Sequence, residues 1–285
     1  MSITAQAPEF YRSHAAIEPF ALHRPKTVGQ AVAAMAASRG DGAYMAGGID
    51  LTDELRAGRK ITDLIYLGDV KELAAIGRTS RALVLGGAVT YRQIERDAKV
   101  RAALPDLARI WETVANVRVR AAGSIAGNLI ASRSGYDALP ALMALDATLH
   151  LETGKGARTQ PVGKPVPKSA LVRRIEIPLT KGQRFLFDRS LTPVVSVALA
   201  VSQTAKGIEA RAAVGCAHGR AVVKTLNTKG ISSMAKLACA AEKLASAFAD
   251  ALPEPVSDAM ASGAYRRRMT AVQLKRLIAS LAGDA

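Results

Sequence analysis

The apolar positions of this chain change period several times, and each change marks a new element. Val28, Val32 and Met35 recur at the three-to-four spacing of a helix face. Ahead of them, Thr27-Val28-Gly29-Gln30 reads as a capping box, in which the threonine hydroxyl takes an unpaired N–H while Gln30 reaches back. Gly40 and Gly42 stop that helix. Residues 43–46, 64–67 and 82–85 are short apolar runs, each ended by glycine or a polar turn, as buried strands are. A second box, Thr90-Tyr91-Arg92-Gln93, opens another helix after Gly86-Gly87, and residues 108–115 form a third helical segment. Asp137 is placed to cap a short helix reaching residue 145. Residues 148–152 and 174–177 read as strands, the second stopped by Pro178. Between them, residues 154–168 are rich in Gly, Pro, Lys and Arg and read as a loop or ragged hairpin.

After Pro178 the runs lengthen. Residues 193–202 and 208–217 are apolar and β-rich, joined by a hairpin signal with Lys206-Gly207 in the turn. Two long helices are expected over 232–251 and 257–281, and no repeat of fixed period is present. The pattern predicts an α+β chain: alternating short elements over 1–178, then a hairpin-plus-helices domain over 179–285.

Composition narrows the function. A chain of 285 residues with 49% apolar content can bury one sizeable core or two unequal ones. No apolar stretch reaches the ~18 residues of a spanning helix. Residues 1–10 lack the basic-then-apolar pattern of a secretory signal, so a cytoplasmic location is expected. Cys216 and Cys239 stand far apart without a CxxC, so both are expected as small buried thiols rather than ligands. His14, His23, His150 and His218 do not cluster and are assigned surface or structural roles, with no metal site. The net charge of +15 suits an anionic cofactor or an acidic partner subunit. Nucleic acid is disfavoured, because no recognition motif accompanies the charge and aromatics make up only 4%. Arg266, Arg267 and Arg268 are expected on a solvated helix face, or against a partner subunit.

Two glycine loops carry the candidate chemistry. In Ala46-Gly47-Gly48-Ile49-Asp50-Leu51, glycines after an apolar strand can adopt φ > 0 and expose consecutive N–H groups to an anion. In Gly123-Ser124-Ile125-Ala126-Gly127-Asn128-Leu129, Ser124 and Asn128 add side-chain donors beside bare backbone. Two such loops could hold the phosphates of a dinucleotide from opposite sides. Neither is a GxGxxG opening a long helix nor a GxxxxGK[ST], so the Rossmann and Walker A fingerprints are absent.

The first loop resembles the A-G-G-T-D-L motif of the FAD subunits of the xanthine dehydrogenase and aerobic carbon monoxide dehydrogenase family of molybdenum hydroxylases. Arg120-Ala121-Ala122-Gly123-Ser124-Ile125-Ala126-Gly127-Asn128-Leu129 resembles that family's R-N-x-G-T-I-G-G-N-L, with Asp137 at the spacing of its aspartate-led helix. Gly86 to Tyr91, Ile175-Glu176-Ile177-Pro178 and Ser262-Gly263-Ala264-Tyr265-Arg266-Arg267 are similar to further family segments, in the right order. Ile49 and Ala126 stand where the family usually has a small hydroxyl residue and a glycine.

The resemblance implies a two-lobed FAD-binding domain of the vanillyl-alcohol-oxidase/PCMH-like type, with lobes of about 1–60 and 61–178, and a small C-terminal domain of antiparallel sheet and helices. It implies that Ala46, Gly47, Gly48, Ile49 and Asp50 hold the pyrophosphate. Gly123, Ser124, Gly127 and Asn128 then approach phosphates and ribityl chain from the other lobe, Asp137 bonds the ribityl or flavin side, and Val114 and Ala115 line the pocket. Trp111 and Tyr136 are either flavin neighbours or packing residues. No general base or nucleophile constellation is visible, which suits an electron relay. The implied partners are a large molybdopterin subunit, a small [2Fe-2S] subunit and an acceptor such as NAD, quinone, oxygen or a protein carrier. A flavin-free structural subunit of the same complex is the alternative.

Overall fold

The computed structural model describes residues 17–282 apart from Arg39 and Lys206; the expectations for residues 1–10, His14 and Lys206 lie outside the described residues. Strands β1 (Ala21–His23), β2 (Gly42–Met45) and β3 (Asp63–Tyr66) form a parallel sheet in the order β1-β3-β2. Parallel neighbours need crossover connections, and helices α1 (Val28–Ala37) and α2 (Ile49–Arg56) cover the two faces. Alternation along β3 serves both: Ile65 packs with Val28, Ala31 and Met35 of α1, while Leu64 packs with Leu55 of α2. The sheet runs to Tyr66, past the lobe edge expected near residue 60, because β3 is its central strand. At the start of α1, Thr27 Oγ1 accepts from Gln30 N, but the Gln30 amide oxygen accepts from Lys26 N rather than Thr27 N. The box at Thr90 closes in both directions.

The second sheet is antiparallel, in the order β4-β5-β8-β6-β7, from β4 (Ile76–Arg78), β5 (Ala82–Gly86), β6 (Thr148–Thr153), β7 (Gly156–Pro161) and β8 (Leu171–Pro178). Residues 154–168 thus begin as a hairpin strand and end as a loop. Between β5 and β6 lie α3 (Tyr91–Arg96), α4 (Ala98–Ala103), α5 (Pro105–Glu112), α6 (Val117–Ala122), α7 (Ile125–Ala131) and α8 (Ala138–Ala144). Leu83, Leu85, Ile175 and Ile177 of the sheet meet Ile94, Leu107, Trp111, Ile125 and Leu142 of these helices in the largest core. Helix α5 starts earlier than the expected 108–115, since Pro105 fits the first turn, where a missing N–H costs nothing.

The third sheet, β12-β11-β10-β9, is antiparallel and comprises β9 (Arg184–Arg189), β10 (Ser196–Thr204), β11 (Gly207–Gly215) and β12 (Val222–Thr225). Helices α9 (Met234–Cys239), α10 (Ala241–Asp250) and α11 (Gly263–Ser280) follow. The long apolar run of β10 is explained by burial on both faces. Ala198 and Ala200 point into the large core, whereas Val197, Leu199 and Val201 pack with Leu237, Leu274 and Ile278 of the C-terminal helices. The third sheet is therefore a layer shared by the large core of the preceding elements and the core of the C-terminal helices.

Several C-terminal expectations need correction. The helix expected over 232–251 is interrupted at Ala240, and the one expected over 257–281 begins only at Gly263. Ahead of it, Asp258 Oδ1 accepts from the backbone of Met260 and Ala261, a local turn that competes with helix. Cys239 is exposed rather than buried, because Leu237 takes the inward position of α9 and Cys239 lies on its far side. The Arg266 to Arg268 run is not a solvated face. Arg266 is 3% exposed and donates to the carbonyls of Val194 (2.8 Å) and Cys216 (2.7 Å) and to Asp258 (2.7 Å). Arg267 reaches the carbonyls of Ala249 and Leu252, and only Arg268 is fully outward.

Arg266→Met leaves two buried carbonyls without a donor and is expected to destabilise the chain by about 2–4 kcal/mol. Urea unfolding checks this; an unchanged midpoint contradicts the anchoring role.

Candidate functional site

The residues expected to bind cofactor come from elements far apart in sequence. Ala46, Gly47, Gly48, Ile49 and Asp50 lie at the β2–α2 junction, and Val114 and Ala115 between α5 and α6. Gly123 and Ser124 precede α7, which carries Gly127 and Asn128, and Asp137 precedes α8. All of them line one cavity of about 820 Å³ between the parallel sheet and the helical region, a volume in the range of ligand sites.

The two glycine loops do different things there. At the first loop, Gly48 has φ +73° and is the N-cap of α2, with no side chain to cap it. The first N–H groups of any helix have no intrahelical partner, so those of Ile49, Asp50 and Leu51 are left for a ligand. Gly47 has no positive φ. It is required for another reason: a Cβ there would lie 1.6 Å from the carbonyl oxygen of Ala122, on the opposite wall.

At the second loop the backbone donors are already used. Ile125 N donates to Val89 O (2.9 Å), Ala126 N to Gly87 O (3.2 Å) and Gly127 N to Ser124 Oγ (3.2 Å), while Asn128 N donates to Ser124 O (3.1 Å). Gly123 holds the same wall, its carbonyl accepting from Tyr91 N (3.1 Å). The second loop therefore offers side chains, the Asn128 carboxamide and the Ser124 hydroxyl proton, and not the bare backbone that its glycines suggested. Ala126 lies inside α7 and needs no positive φ, so the alanine in place of glycine fits.

Asp50 does not face a ligand freely. Its Oδ1 accepts from the Tyr136 hydroxyl (2.6 Å) and pairs with Arg133 Nε (2.8 Å), which neutralises a carboxylate at an anion-accepting helix end. Burial, and then the bond to Asp50, push the Tyr136 phenol far above its ordinary range. Asp137 occupies the N-cap position of α8 but caps nothing with its side chain. Its Oδ2 accepts instead from Arg189 of β9 (2.7 Å), whose other amino group donates to Thr113 O (3.0 Å). Burial holds the Asp137 carboxyl above the usual carboxylate range, against the opposing pull of Arg189.

A cofactor fit can be tested on atoms left unpaired. Among the described residues, the buried Tyr44 hydroxyl, Trp111 Nε1, Asn128 Oδ1 and Asp137 Oδ1 have no hydrogen-bond partner, and all four residues line the cavity. Five further buried atoms, on Arg174, His218, Arg266 and Gln273, are also unpaired and lie away from the cavity, but these four residues gather around one space, as the lining of a polar-ligand site does. Trp111 lies parallel to Tyr91 at 5.0 Å between ring centroids, giving the cavity an aromatic wall. Tyr91, Tyr44 and Arg189 were not singled out as site residues from the sequence. Tyr91 belongs to a capping box, Tyr44 leads into the first glycine loop without a visible role of its own, and the partners of Arg189 are distant in the chain.

A model of the FAD-binding domain in molybdopterin dehydrogenases matches residues 18–180. The chain belongs to that family. The carbon monoxide dehydrogenase medium chain of Afipia carboxidovorans is 25% identical over 286 aligned positions, covering 91% of this chain and 95% of that protein. Its counterpart from Hydrogenophaga pseudoflava is 30% identical, although that match spans only half of each chain (50% and 50%). The nicotinate dehydrogenase FAD-subunit of Eubacterium barkeri is 32% identical over 41% of this chain and 40% of its own. Two solved structures share the fold. Carbon monoxide dehydrogenase from Oligotropha carboxidovorans has TM-score 0.83 and 21% identity, over 95% of this chain and 100% of that one. Quinoline 2-oxidoreductase from Pseudomonas putida 86 has TM-score 0.81 and 22% identity, over 94% and 98%. The protein is thus the FAD-binding medium subunit of a molybdenum hydroxylase, an oxidoreductase component with FAD as its cofactor. Among the described residues no helix is long and apolar enough to cross a membrane.

Gly48→Val places a β-branched residue at φ +73°, with its Cβ 3.2 Å from Met45 Sδ and 3.3 Å from Thr52 Oγ1. The strain, about 1–3 kcal/mol, falls on the loop that presents the free amides. FAD released per chain is expected to drop while the circular dichroism stays that of the parent; a full complement of FAD in this variant would remove the loop from the site.

Proposed function

We propose that this subunit relays electrons from the iron–sulfur clusters of a small partner subunit to an external acceptor, the substrate being oxidised at a molybdenum centre on a large subunit. The cavity carries the proposal, because four of the residues lining it hold buried polar atoms without a partner, which suits a polar ligand. FAD, when bound, supplies the redox chemistry. The chain binds, orients and excludes water. The amides of Ile49, Asp50 and Leu51 would hold the pyrophosphate at the positive end of α2, with the Arg133–Tyr136 clasp keeping the Asp50 carboxylate aside. From the other wall Asn128 and Ser124 would contact phosphate or ribityl oxygens, and Asp137 the ribityl or flavin side. Val114, Ala115 and the Tyr91–Trp111 pair would supply the apolar walls. In this reading the FAD-binding part extends to about residue 178 and residues 179–285 form the C-terminal domain.

The flavin-free structural alternative leaves the cavity without a purpose. It also leaves Asn128, 6% exposed with an unpaired Oδ1, paying a desolvation cost for nothing.

The complex purified with this subunit is expected to show flavin absorption and to release FAD equimolar with the chain. Asn128→Ala is expected to weaken FAD retention by about tenfold, the loss of a buried hydrogen bond of about 1.4 kcal/mol. A colourless complex that still holds molybdenum and iron–sulfur subunits would establish the structural alternative instead.

A further inference from the structure

Arg189 differs from the other cations at the cavity in where it comes from. Arg59 and Lys168 also line the space, the first tied to Glu54 and the second exposed. Arg189 ends β9, a strand of the third sheet, and so belongs to the layer shared with the C-terminal helices. Its guanidinium is fixed at two points from two different elements: one amino group on Asp137 Oδ2 before α8 (2.7 Å), the other on the carbonyl of Thr113 after α5 (3.0 Å). The Asp137 side chain is 2% exposed, and its second oxygen is the unpaired one.

A carboxylate at that depth survives as an anion only beside a counter-charge. Asp137 could not instead rotate to cap α8, since one oxygen is held by Arg189. Fixing Oδ2 fixes the whole planar group, and with it Oδ1, the unpaired buried oxygen of a residue that lines the cavity. Among the described residues, Cys216, Tyr91 and Tyr136 adjoin Asp137 as neutral groups, and Arg133 is engaged with Asp50. The same contact joins the third sheet to Thr113, one residue before Val114 in the cavity wall.

We infer that Arg189 is a positioning residue for FAD: by fixing Asp137 and Thr113 from β9, it makes cofactor binding depend on the C-terminal sheet. The inference rests on the FAD reading of the cavity. Without Arg189, Asp137 is a buried charge with no partner, and it either takes up a proton or turns away; in both cases the fixed anionic acceptor beside the cofactor space is lost.

The full chain, stripped of flavin and titrated with FAD by quenching of flavin fluorescence, tests this, with thermal melting recorded in parallel. Arg189→Met is expected to weaken FAD binding by about tenfold or more. Arg189→Lys keeps a charge but cannot span both partners, and is expected to fall between parent and Arg189→Met. Adding Asp137→Asn to Arg189→Met removes the stranded charge and is expected to recover part of the lost affinity. A role confined to fold stability predicts a lower melting temperature in Arg189→Met with FAD affinity unchanged, and that result overturns the inference, as does a double variant no better than Arg189→Met. If Arg189→Met does not fold, the lysine variant decides: parental affinity overturns the inference and an intermediate one supports it. A parent chain that binds no FAD would instead bring down the cofactor reading itself.

Discussion

The close approach of Gly47 to the Ala122 carbonyl is the contact on which the cavity depends. It brings the β2–α2 junction against the end of α6, so closely that a methyl group at residue 47 would occupy the same space as the carbonyl oxygen. Because the parallel sheet is braced on both faces by α1 and α2, and α6 leads directly into the wall formed by α7, neither side can withdraw without disturbing a packed core. The interval that remains around this contact is the cofactor space.

The two walls then divide the work by what their backbones leave over. Helix α2 begins at a glycine in the left-handed region and has nothing to cap it, so its first amides and its dipole face the cavity. Helix α7 begins at a serine that caps it, and its remaining amides are bonded to the loop between β5 and α3. One wall is an anion receptor; the other is a rigid frame that presents Asn128 and Ser124. A third contribution, through Arg189 and Asp137, arrives from the sheet shared with the C-terminal helices. That sheet is small on one side and bulky on the other, Ala198 and Ala200 against Val197, Leu199 and Val201, so it can pack two cores at once.

How much of this was legible in the sequence follows from range. The capping box at Thr90 is an interaction over three residues, and its pattern named the start of α3 correctly. The glycine loops were legible as motifs, and the residues they nominated line one cavity. Their mechanics were not, because they depend on partners elsewhere. Nothing near Gly47 announces the Ala122 carbonyl, and nothing near Ser124 announces that Val89 and Gly87 take the amides that follow it. Arg266 and Arg189 were hidden for the same reason: their acceptors at Val194, Cys216, Asp137 and Thr113 are distant in the chain. The short helices α4 and α6 escaped because six residues do not complete two turns of an apolar period.

The measurement that tests this account most directly is an experimental structure of the FAD-loaded chain. The account predicts diphosphate oxygens within hydrogen-bond distance of the Ile49, Asp50 and Leu51 amides, with Asn128 and Ser124 meeting the cofactor through their side chains. Phosphates seated on the amides of Ile125, Ala126 and Gly127, with α2 untouched, would contradict it.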